Sequence, residues 1–313
     1  GHVAFRNMFS SFARAAGAAL RAAPASRLVL GGVVFSASAA GMMTTAEPWW
    51  GGSKAADSVD LDALRKDIEA ILDEDDNRGP TLVRLGWHAS GTYDKTTGTG
   101  GSFGGTMRFD PELGDGANAG LDVAQGWIEP LAKKYSGLSH GDLWTYAAKV
   151  AIEYMGGPEI RWRSGRQDAS SAKACPPNGR LPDASLGWDH VRDVFGRMGF
   201  NDRETVALIG AHTLGRCHTN ASGYTGPWTR APTTWSNLYF QELVNNTWTP
   251  KKWGGPLQFE DPTGDLMMLP ADMTLLWDPA FSKIVKEYAK DEEAFNRDFA
   301  AAFAKLMELG CKF

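Results

Sequence analysis

The stretch RLGWHASGTYD, residues 84–94, contains three side chains that could do chemistry together. Arg84, Trp87 and His88 are three and four residues apart in a segment with the apolar pattern of a mostly buried helix. At about 100° per residue, this spacing places a permanent cation, an indole N–H donor and a titratable imidazole on one helix face. Such a group can transfer protons and stabilise developing negative charge. Taken singly, Arg84 could instead be a buried ion-pair partner and Trp87 a core residue.

A second histidine, His212, lies in VALIGAHTLGRCH, residues 206–218. The apolar residues before it predict a helix that is too hydrophobic to lie on the surface. A lone histidine on such a helix is more often a hydrogen-bonded core residue than a metal ligand. The HExxH motif is absent, and His212, Cys217 and His218 fit no standard zinc spacing. The residues alone therefore leave both roles open for His212.

Helices must position these side chains, and apolar residues recur at three- and four-residue spacing along most of the chain after residue 59. The segments LDALRKDIEAIL, HGDLWTYAAKVAIEYMG, WDHVRDVFGRMGF and NDRETVALIGAHTLGRCH each predict a helix. Capping patterns at residues 139–142 and 201–204 mark two helix starts. Strand patterns are absent or very short. The glycine-rich connection at residues 97–120 lacks the GK[ST] of a phosphate loop, so we expect no nucleotide there.

Length and composition predict one or two closely packed globular units. The 313 residues are 43% hydrophobic, enough for a large core. The three cysteines are odd in number and far apart, so a disulfide framework is not expected.

The first 46 residues differ from the rest. They contain Arg6, Arg14, Arg21 and Arg27 but no acidic residue, which is typical of a mitochondrial targeting segment. The uncharged run at residues 28–43 falls just short of the roughly 18–20 residues that span a bilayer. It therefore fits either a membrane anchor or part of a cleaved presequence.

The formal charge of residues 47–313 predicts a basic protein partner. Four of the 32 basic residues and none of the 37 acidic ones lie in residues 1–46, so residues 47–313 have a formal charge of −9. A field of this sign repels nucleic acid and attracts basic proteins. The acidic run Asp73, Glu74, Asp75 and Asp76 is either a solvated helix end or a surface that steers such a partner.

Six motifs together resemble one family. RLGWHASGTYD, GANAG, NGRLPDA, VALIGAHTLGRCH, SGYTGPW and MMLPADMTLLWDP occur in the order and approximate spacing of the class I haem peroxidases, which include cytochrome c peroxidases and ascorbate peroxidases. The resemblance covers about residues 59–313. The arginine-rich leader with its apolar run further resembles the trypanosomatid enzymes that combine features of both groups.

This resemblance implies a mostly α, plant-type haem peroxidase fold of about ten helices in two lobes with haem between them. The implied organisation is a targeting segment at residues 1–46 and a catalytic unit at 47–313. The distal lobe would cover about residues 59–160, and the proximal lobe about residues 161–313.

The resemblance also implies the chemistry. His212 would be the proximal iron ligand of haem b, with Arg84, Trp87 and His88 above the opposite face, where hydrogen peroxide reacts. Asn118 would accept a hydrogen bond from the ring of His88. Asp272 would accept one from the ring of His212. Further residues near the haem would be Pro182, Arg216, His218, Ser222, Met267 and Met268.

Trp228 bears on the electron donor. At this position cytochrome c peroxidases form a tryptophan radical that relays electrons, and Asp272, Met267 and Met268 would favour that radical here. Ascorbate peroxidases have an arginine nine residues after the proximal histidine, where this chain has Ala221. Thr213 and Thr229 resemble part of the proximal K⁺ or Ca²⁺ site of those enzymes. Its aspartate is replaced by Ser236.

We therefore expect a mitochondrial peroxidase that reduces hydrogen peroxide with electrons from ferrocytochrome c, through ferryl and tryptophan-radical intermediates. If residues 28–43 anchor it, the catalytic unit would face the intermembrane space from the inner membrane. One alternative is a peroxidase whose main donor is ascorbate or another small reductant. The other is a haem-binding sensor or carrier, which the pairing of Arg84 with His88 disfavours because such groups promote O–O cleavage.

Overall fold

The structure, a computed structural model, describes residues 59–313. The predicted membrane-anchor run at residues 28–43 and the targeting segment lie outside this range. Within it, no helix is both long enough and apolar enough to cross a bilayer. All three cysteines are free, as expected from their spacing.

Ten α-helices dominate the secondary structure of residues 59–313, and the five strands there have only two residues each, which confirms the mostly α fold. They are α1 Leu61–Asp73, α2 Arg78–Ser90, α3 Leu121–Lys134, α4 His140–Tyr154, α5 Trp188–Met198, α6 Asp202–Ile209, α7 Leu238–Asn245, α8 Pro270–Trp277, α9 Pro279–Tyr288 and α10 Glu292–Glu308. Short 3₁₀ helices at Ser102–Gly104, Thr106–Arg108, Gly116–Asn118, Ala172–Ala174 and Gly210–Thr213 interrupt the connections.

Five two-residue strands form two small antiparallel sheets. The strands are β1 Arg216–Cys217, β2 Gly226–Pro227, β3 Thr249–Pro250, β4 Phe259–Glu260 and β5 Met267–Met268. β1 pairs with β2, while β4 lies between β3 and β5. The β1–β2 pair closes the chain between His212 and Trp228 into a hairpin.

Local capping fixes where two of the predicted helices begin. Ser139 accepts from the Asp142 amide at 3.0 Å at the start of α4. Asn201 and Glu204 form a complete capping box at the start of α6. These bonds satisfy amides that have no partner within the helix.

The apolar core lies between the helices. α2 packs mainly against α4, and α10 packs against both α6 and α2. The middle of α4 and the phenylalanines of α10 are completely or almost completely buried. Because α2 is held on several sides, its polar residues have fixed positions.

The prediction that His212 lies on an α-helix is wrong. α6 ends at Ile209, and His212 lies in the following 3₁₀ helix, Gly210–Thr213. Gly215 has a φ of +78°, a left-handed conformation that ends the helical path. The chain then enters β1. The helix predicted from the apolar pattern therefore extends too far at its C-terminal end.

Candidate active site

The distal group, Arg84, Trp87 and His88, lies in the second half of α2. His88 Nδ1 and Asn118 Oδ1 are 2.8 Å apart, and Asn118 Nδ2 donates to the Glu112 backbone oxygen at 2.8 Å. Because the amide oxygen only accepts, Nδ1 of His88 must carry the proton. Nε2 is therefore the basic nitrogen, and it makes no hydrogen bond within residues 59–313.

His88 is held in its neutral form. Burial, and then the nearby charge of Arg84, lower the pKa of His88 to about 3, against the opposing effect of the Asn118 hydrogen bond. The ring is therefore uncharged at ordinary pH. A neutral imidazole with a free nitrogen can act as a general base.

Arg84 contributes a positive charge without a carboxylate partner. Its guanidinium donates to the backbone oxygens of Ala117 at 2.7 Å and Ala119 at 3.0 Å, and it forms no ion pair within the described chain. Arg84 and His88 therefore both contact the segment around Asn118. An uncompensated cation beside a free base stabilises negative charge that develops there.

Trp87 is fixed by α5. Its ring stacks on Phe195, with centroids 5.4 Å apart and planes 14° apart. Its indole N–H makes no hydrogen bond to a residue in 59–313, so it remains a free donor beside His88.

Glu112, which anchors Asn118 through its backbone, also has an unusual side chain. The residue is 2% exposed, and neither carboxyl oxygen makes a hydrogen bond of acceptable geometry. Burial raises the pKa of Glu112 to about 7, although the nearby Thr106 hydroxyl opposes the increase. No motif or spacing in the sequence indicated a role for Glu112.

The proximal group is built around one buried carboxylate, Asp272. Its Oδ1 lies 2.8 Å from His212 Nδ1, and its Oδ2 accepts from Trp228 Nε1 at 2.8 Å. The rings of His212 and Trp228 stack, with centroids 4.2 Å apart and planes 14° apart. Asp272 therefore fixes the orientation of both rings.

Two further donors complete the surroundings of Asp272. The Leu269 amide donates to Oδ2 at 2.8 Å, and the Tyr239 hydroxyl donates to Oδ1 at 2.7 Å. Burial alone would raise the pKa of Asp272, but the charge and hydrogen bond of His212, with the Leu269 and Tyr239 bonds, lower it below its usual value. The carboxylate is therefore ionised. Sequence reasoning missed Tyr239, which only the packing of α7 against α8 brings to this site.

The Cys217 thiol in β1 is influenced by charges of both the distal and the proximal group. Burial raises the pKa of Cys217 to about 11, and both Asp272 and Arg84 act on it electrostatically, in opposite directions. A Cβ atom on Gly215 would lie 3.0 Å from Pro80, so the segment after His212 packs on the start of α2. Residues far apart in sequence thus converge on one region.

The comparisons with known proteins identify the family. The profile of the peroxidase family matches residues 64–291, well over half of the chain. The chain belongs to the peroxidase family.

The curated relatives of this peroxidase include three fungal proteins. The chain is 56% identical over 254 residues to a mitochondrial cytochrome c peroxidase of Aspergillus fumigatus, covering 80% of this chain and 69% of the relative. It is 54% identical to a mitochondrial cytochrome c peroxidase of Pyricularia oryzae, covering 81% and 72%. A relative from Mycosarcoma maydis, named as a heme-binding peroxidase, is 51% identical, covering 80% and 79%.

The proximal residues of this peroxidase fit haem, the cofactor that its family implies. The Asp272 hydrogen bond holds the proton on Nδ1 of His212 and leaves Nε2 as the donor nitrogen that iron requires. Nε2 has no hydrogen-bond partner among residues 59–313. The His212 side chain is 34% exposed although its ring stacks on Trp228, so its free edge is open.

The other residues predicted to lie near the haem are found in three places: the hairpin between His212 and Trp228, the loop before α5, and strand β5. Arg216, His218 and Ser222 are exposed in the hairpin between His212 and Trp228, and neither basic side chain has an ion pair within the described structure. Pro182 is half-buried in the loop before α5. Met267 and Met268 are buried in β5, and Met267 lies 3.4 Å from where a Cβ on Gly226 would be, two residues before Trp228.

The residues predicted to bind a proximal cation lie close together. Thr213 Oγ1 lies 3.4 Å from Ser236 Oγ, and Thr229 Oγ1 donates to the Thr213 backbone oxygen at 3.0 Å. These are neutral oxygens. Within residues 59–313, no group of three or more His, Cys, Asp or Glu side chains is arranged to hold a metal ion.

The acidic run is exposed at the turn between α1 and α2. Asp73 accepts from the Tyr154 hydroxyl, Glu74 pairs with Arg78 at 2.6 Å, and Asp75 accepts from the Asn77 amide at 2.9 Å. The run therefore precedes the helix that bears the distal group.

Proposed function

We propose that this protein is a haem peroxidase that reduces hydrogen peroxide to water with electrons from ferrocytochrome c. The observation that carries the proposal is the shared carboxylate of Asp272, which bonds to both His212 and Trp228. A tryptophan stacked on the histidine and bonded to an anion is well placed to lose an electron and to be re-reduced. The names of the Aspergillus and Pyricularia relatives support cytochrome c as the donor.

His212 would hold haem iron through Nε2, with Arg216, His218 and Ser222 near its carboxylates and Pro182 beside it. Haem, when bound, supplies the centre at which the O–O bond is cleaved and the oxidising equivalents are stored.

His88 would move the proton that this cleavage requires. Its neutral Nε2 accepts a proton from one peroxide oxygen and returns it to the departing oxygen, so that water leaves. Arg84 stabilises the negative charge that develops as the bond breaks, and Trp87 donates its N–H to a peroxide oxygen or to water. Asn118 keeps the proton on Nδ1, so the correct nitrogen faces the substrate.

Trp228 would connect the interior with a protein donor. Its side chain is 7% exposed, so cytochrome c cannot reach the site directly and must send its electron through the polypeptide. Asp272 stabilises the tryptophan radical cation by charge, and the polarisable sulfurs of Met267 and Met268 add to this effect.

The acidic run Asp73, Glu74, Asp75 and Asp76 would steer cytochrome c. Its exposure and the formal charge of −9 on residues 47–313 support this role. The run lies just before Pro80, which packs against Gly215 in the segment between His212 and Trp228. A basic protein bound there would be near the electron route.

We further propose that residues 1–46 target the protein to mitochondria and that residues 47–313 form the catalytic unit. The composition of the leader and the mitochondrial names of the relatives support this location. An anchor at residues 28–43 stays a prediction, and it would place the catalytic unit on the inner membrane facing the intermembrane space.

Two finer predictions have weaker support. Thr213, Thr229 and Ser236 would offer K⁺ or Ca²⁺ only neutral oxygens, whereas Ca²⁺ sites usually include carboxylates. Ascorbate as the main donor would need an anion-binding group at position 221, where the exposed Ala221 offers none.

Trp228→Phe tests the proposal. We expect the variant to react with peroxide at nearly the parent rate, to lose the tryptophan radical signal in electron paramagnetic resonance, and to oxidise cytochrome c far more slowly. Small reductants should be affected much less. Trp235→Phe is the matched control, since this buried indole donates to Asn296 at 2.7 Å and not to Asp272. Full cytochrome c turnover by Trp228→Phe would refute the relay and favour a small reductant.

A further inference from the structure

Tyr239 shares an acceptor atom with the proximal histidine. Its hydroxyl donates to Oδ1 of Asp272 at 2.7 Å, and His212 Nδ1 lies 2.8 Å from that same oxygen. Trp228 and the Leu269 amide use the other oxygen, Oδ2. A carboxylate has about four lone-pair sites, so Asp272 is saturated.

Neighbouring structure determines the position of Tyr239. Asn237, at the start of α7, donates to the backbone oxygen of Tyr288 at 2.9 Å and so ties this end of the helix to α9. The Tyr239 ring meets His212 edge-on, with centroids 5.8 Å apart, and packs on Phe240 at 5.1 Å. The side chain is completely buried, so no water competes for its hydroxyl.

The Tyr239 hydroxyl is a hydrogen-bond donor at neutral pH. Burial, together with the charge of Asp272, raises its pKa well above the ordinary value. The hydroxyl therefore keeps its proton at neutral pH, where Oδ1 accepts from both Tyr239 and His212.

We propose that Tyr239 is a positioning residue that limits how strongly Asp272 pulls on the Nδ1 proton of His212. Donors on one oxygen compete for the same electron density, so the Tyr239 bond weakens the His212 bond. A stronger bond from Asp272 would give His212 more imidazolate character and make it a more electron-rich ligand. Tyr239 thus moderates the basicity of the proximal ligand, and this inference rests on the proposed ligation of haem by His212.

Tyr239→Phe in the haem-loaded protein is the direct test. Removing the hydroxyl leaves Oδ1 to His212 alone, so we expect the iron–histidine stretching frequency of the ferrous protein to rise and the ferric/ferrous midpoint potential to fall. Tyr288→Phe is the matched control. Tyr288 is also completely buried and packs on Phe240, but its hydroxyl donates at 2.8 Å to Asp298, which does not contact His212.

A second replacement shifts the same measurements in the opposite direction. A fluorinated tyrosine at position 239 keeps the hydroxyl but makes it a stronger donor, so the stretching frequency should fall and the potential should rise. A variant that merely disturbed packing would not reverse the sign.

The outcomes separate the inference from the function on which it rests. Absence of an iron–histidine band in the parent protein would overturn ligation by His212. A band that is present but unchanged in Tyr239→Phe, or shifted equally in Tyr288→Phe, would overturn the sharing of Oδ1.

Discussion

The two histidine sites of this protein have the same side chain but opposite partners. His88 bonds to the neutral amide of Asn118, while His212 bonds to the ionised carboxylate of Asp272, each at 2.8 Å through Nδ1. In both sites the bond orients the ring and leaves Nε2 free. The charge of the partner then decides the chemistry, because an amide leaves a neutral base whereas a carboxylate makes an electron-rich ligand.

The nearby charges strengthen this contrast. On the distal side Arg84 has no carboxylate partner, so an additional positive charge on His88 is disfavoured. On the proximal side Asp272 is the buried anion, and four donors compensate its charge. The distal site therefore favours incoming negative charge, and the proximal site favours loss of an electron.

Removing the distal base should have the largest effect. His88→Leu should slow the reaction with hydrogen peroxide by at least the roughly 10²- to 10⁴-fold typical of a positioned acid–base group, because one residue makes both proton transfers. Stopped-flow absorption after peroxide addition measures this rate. Arg84→Leu should slow it less. A nearly unchanged rate in His88→Leu would contradict the assigned role.

Replacing the amide partner of His88 by a carboxylate should make the protonation of His88 more like that of a histidine paired with an anion. Asn118→Asp places a carboxylate against His88 and should raise its pKa from about 3. Since only the neutral ring accepts a proton, the rate of reaction with peroxide should then fall on acidification at a higher pH than in the parent. The pH–rate profile measures this shift, and an unmoved acid limb would show that partner charge does not control His88.

Neutralising the acidic run should have the smallest effect. It should change the reaction with cytochrome c and not the reaction with peroxide. Glu74→Gln with Asp76→Asn should weaken the salt dependence of cytochrome c oxidation, since this attraction is screened within about 10 Å at moderate ionic strength. The peroxide reaction should not change. Glu292→Gln with Glu293→Gln removes two exposed charges from α10 as a control. An equal salt dependence of cytochrome c oxidation in both double variants would show that the acidic run is only a solvated helix end.

The spacing of residues predicted part of this arrangement well. Offsets of three and four put Arg84 and His88 on one side of α2, where both contact the segment around Asn118. A helical period alone determines such a relation. The pairings of His88 with Asn118 and of His212 with Asp272 span 30 and 60 residues, so only the family resemblance could suggest them.

Other features depend on tertiary packing that no local pattern encodes. The apolar residues before His212 indicated a continuing α-helix, but Gly215, with its positive φ, turns the chain out of the helical path, and Gly210 allows close packing. A Cβ on Gly210 would lie 2.5 Å from Phe295, so the turn sits directly on α10. Tyr239 and Glu112 gave no signal, because their roles arise from helices and loops distant in sequence.

The buried carboxyl of Glu112 has a consequence for the protons exchanged on unfolding. Its pKa falls from about 7 to 4.5 when the chain unfolds, so between these values the native protein holds a proton that the unfolded chain releases, and stability falls as pH rises. His88 does the opposite. Its pKa increases from about 3 to 6.5, so the unfolded chain takes up a proton and stability rises with pH. Each effect reaches about 1.4 kcal/mol per pH unit. In the middle of the range from pH 4.5 to 6.5 the proton lost by one group nearly matches the proton gained by the other, so the opposite slopes of the two groups joined through Asn118 largely cancel there.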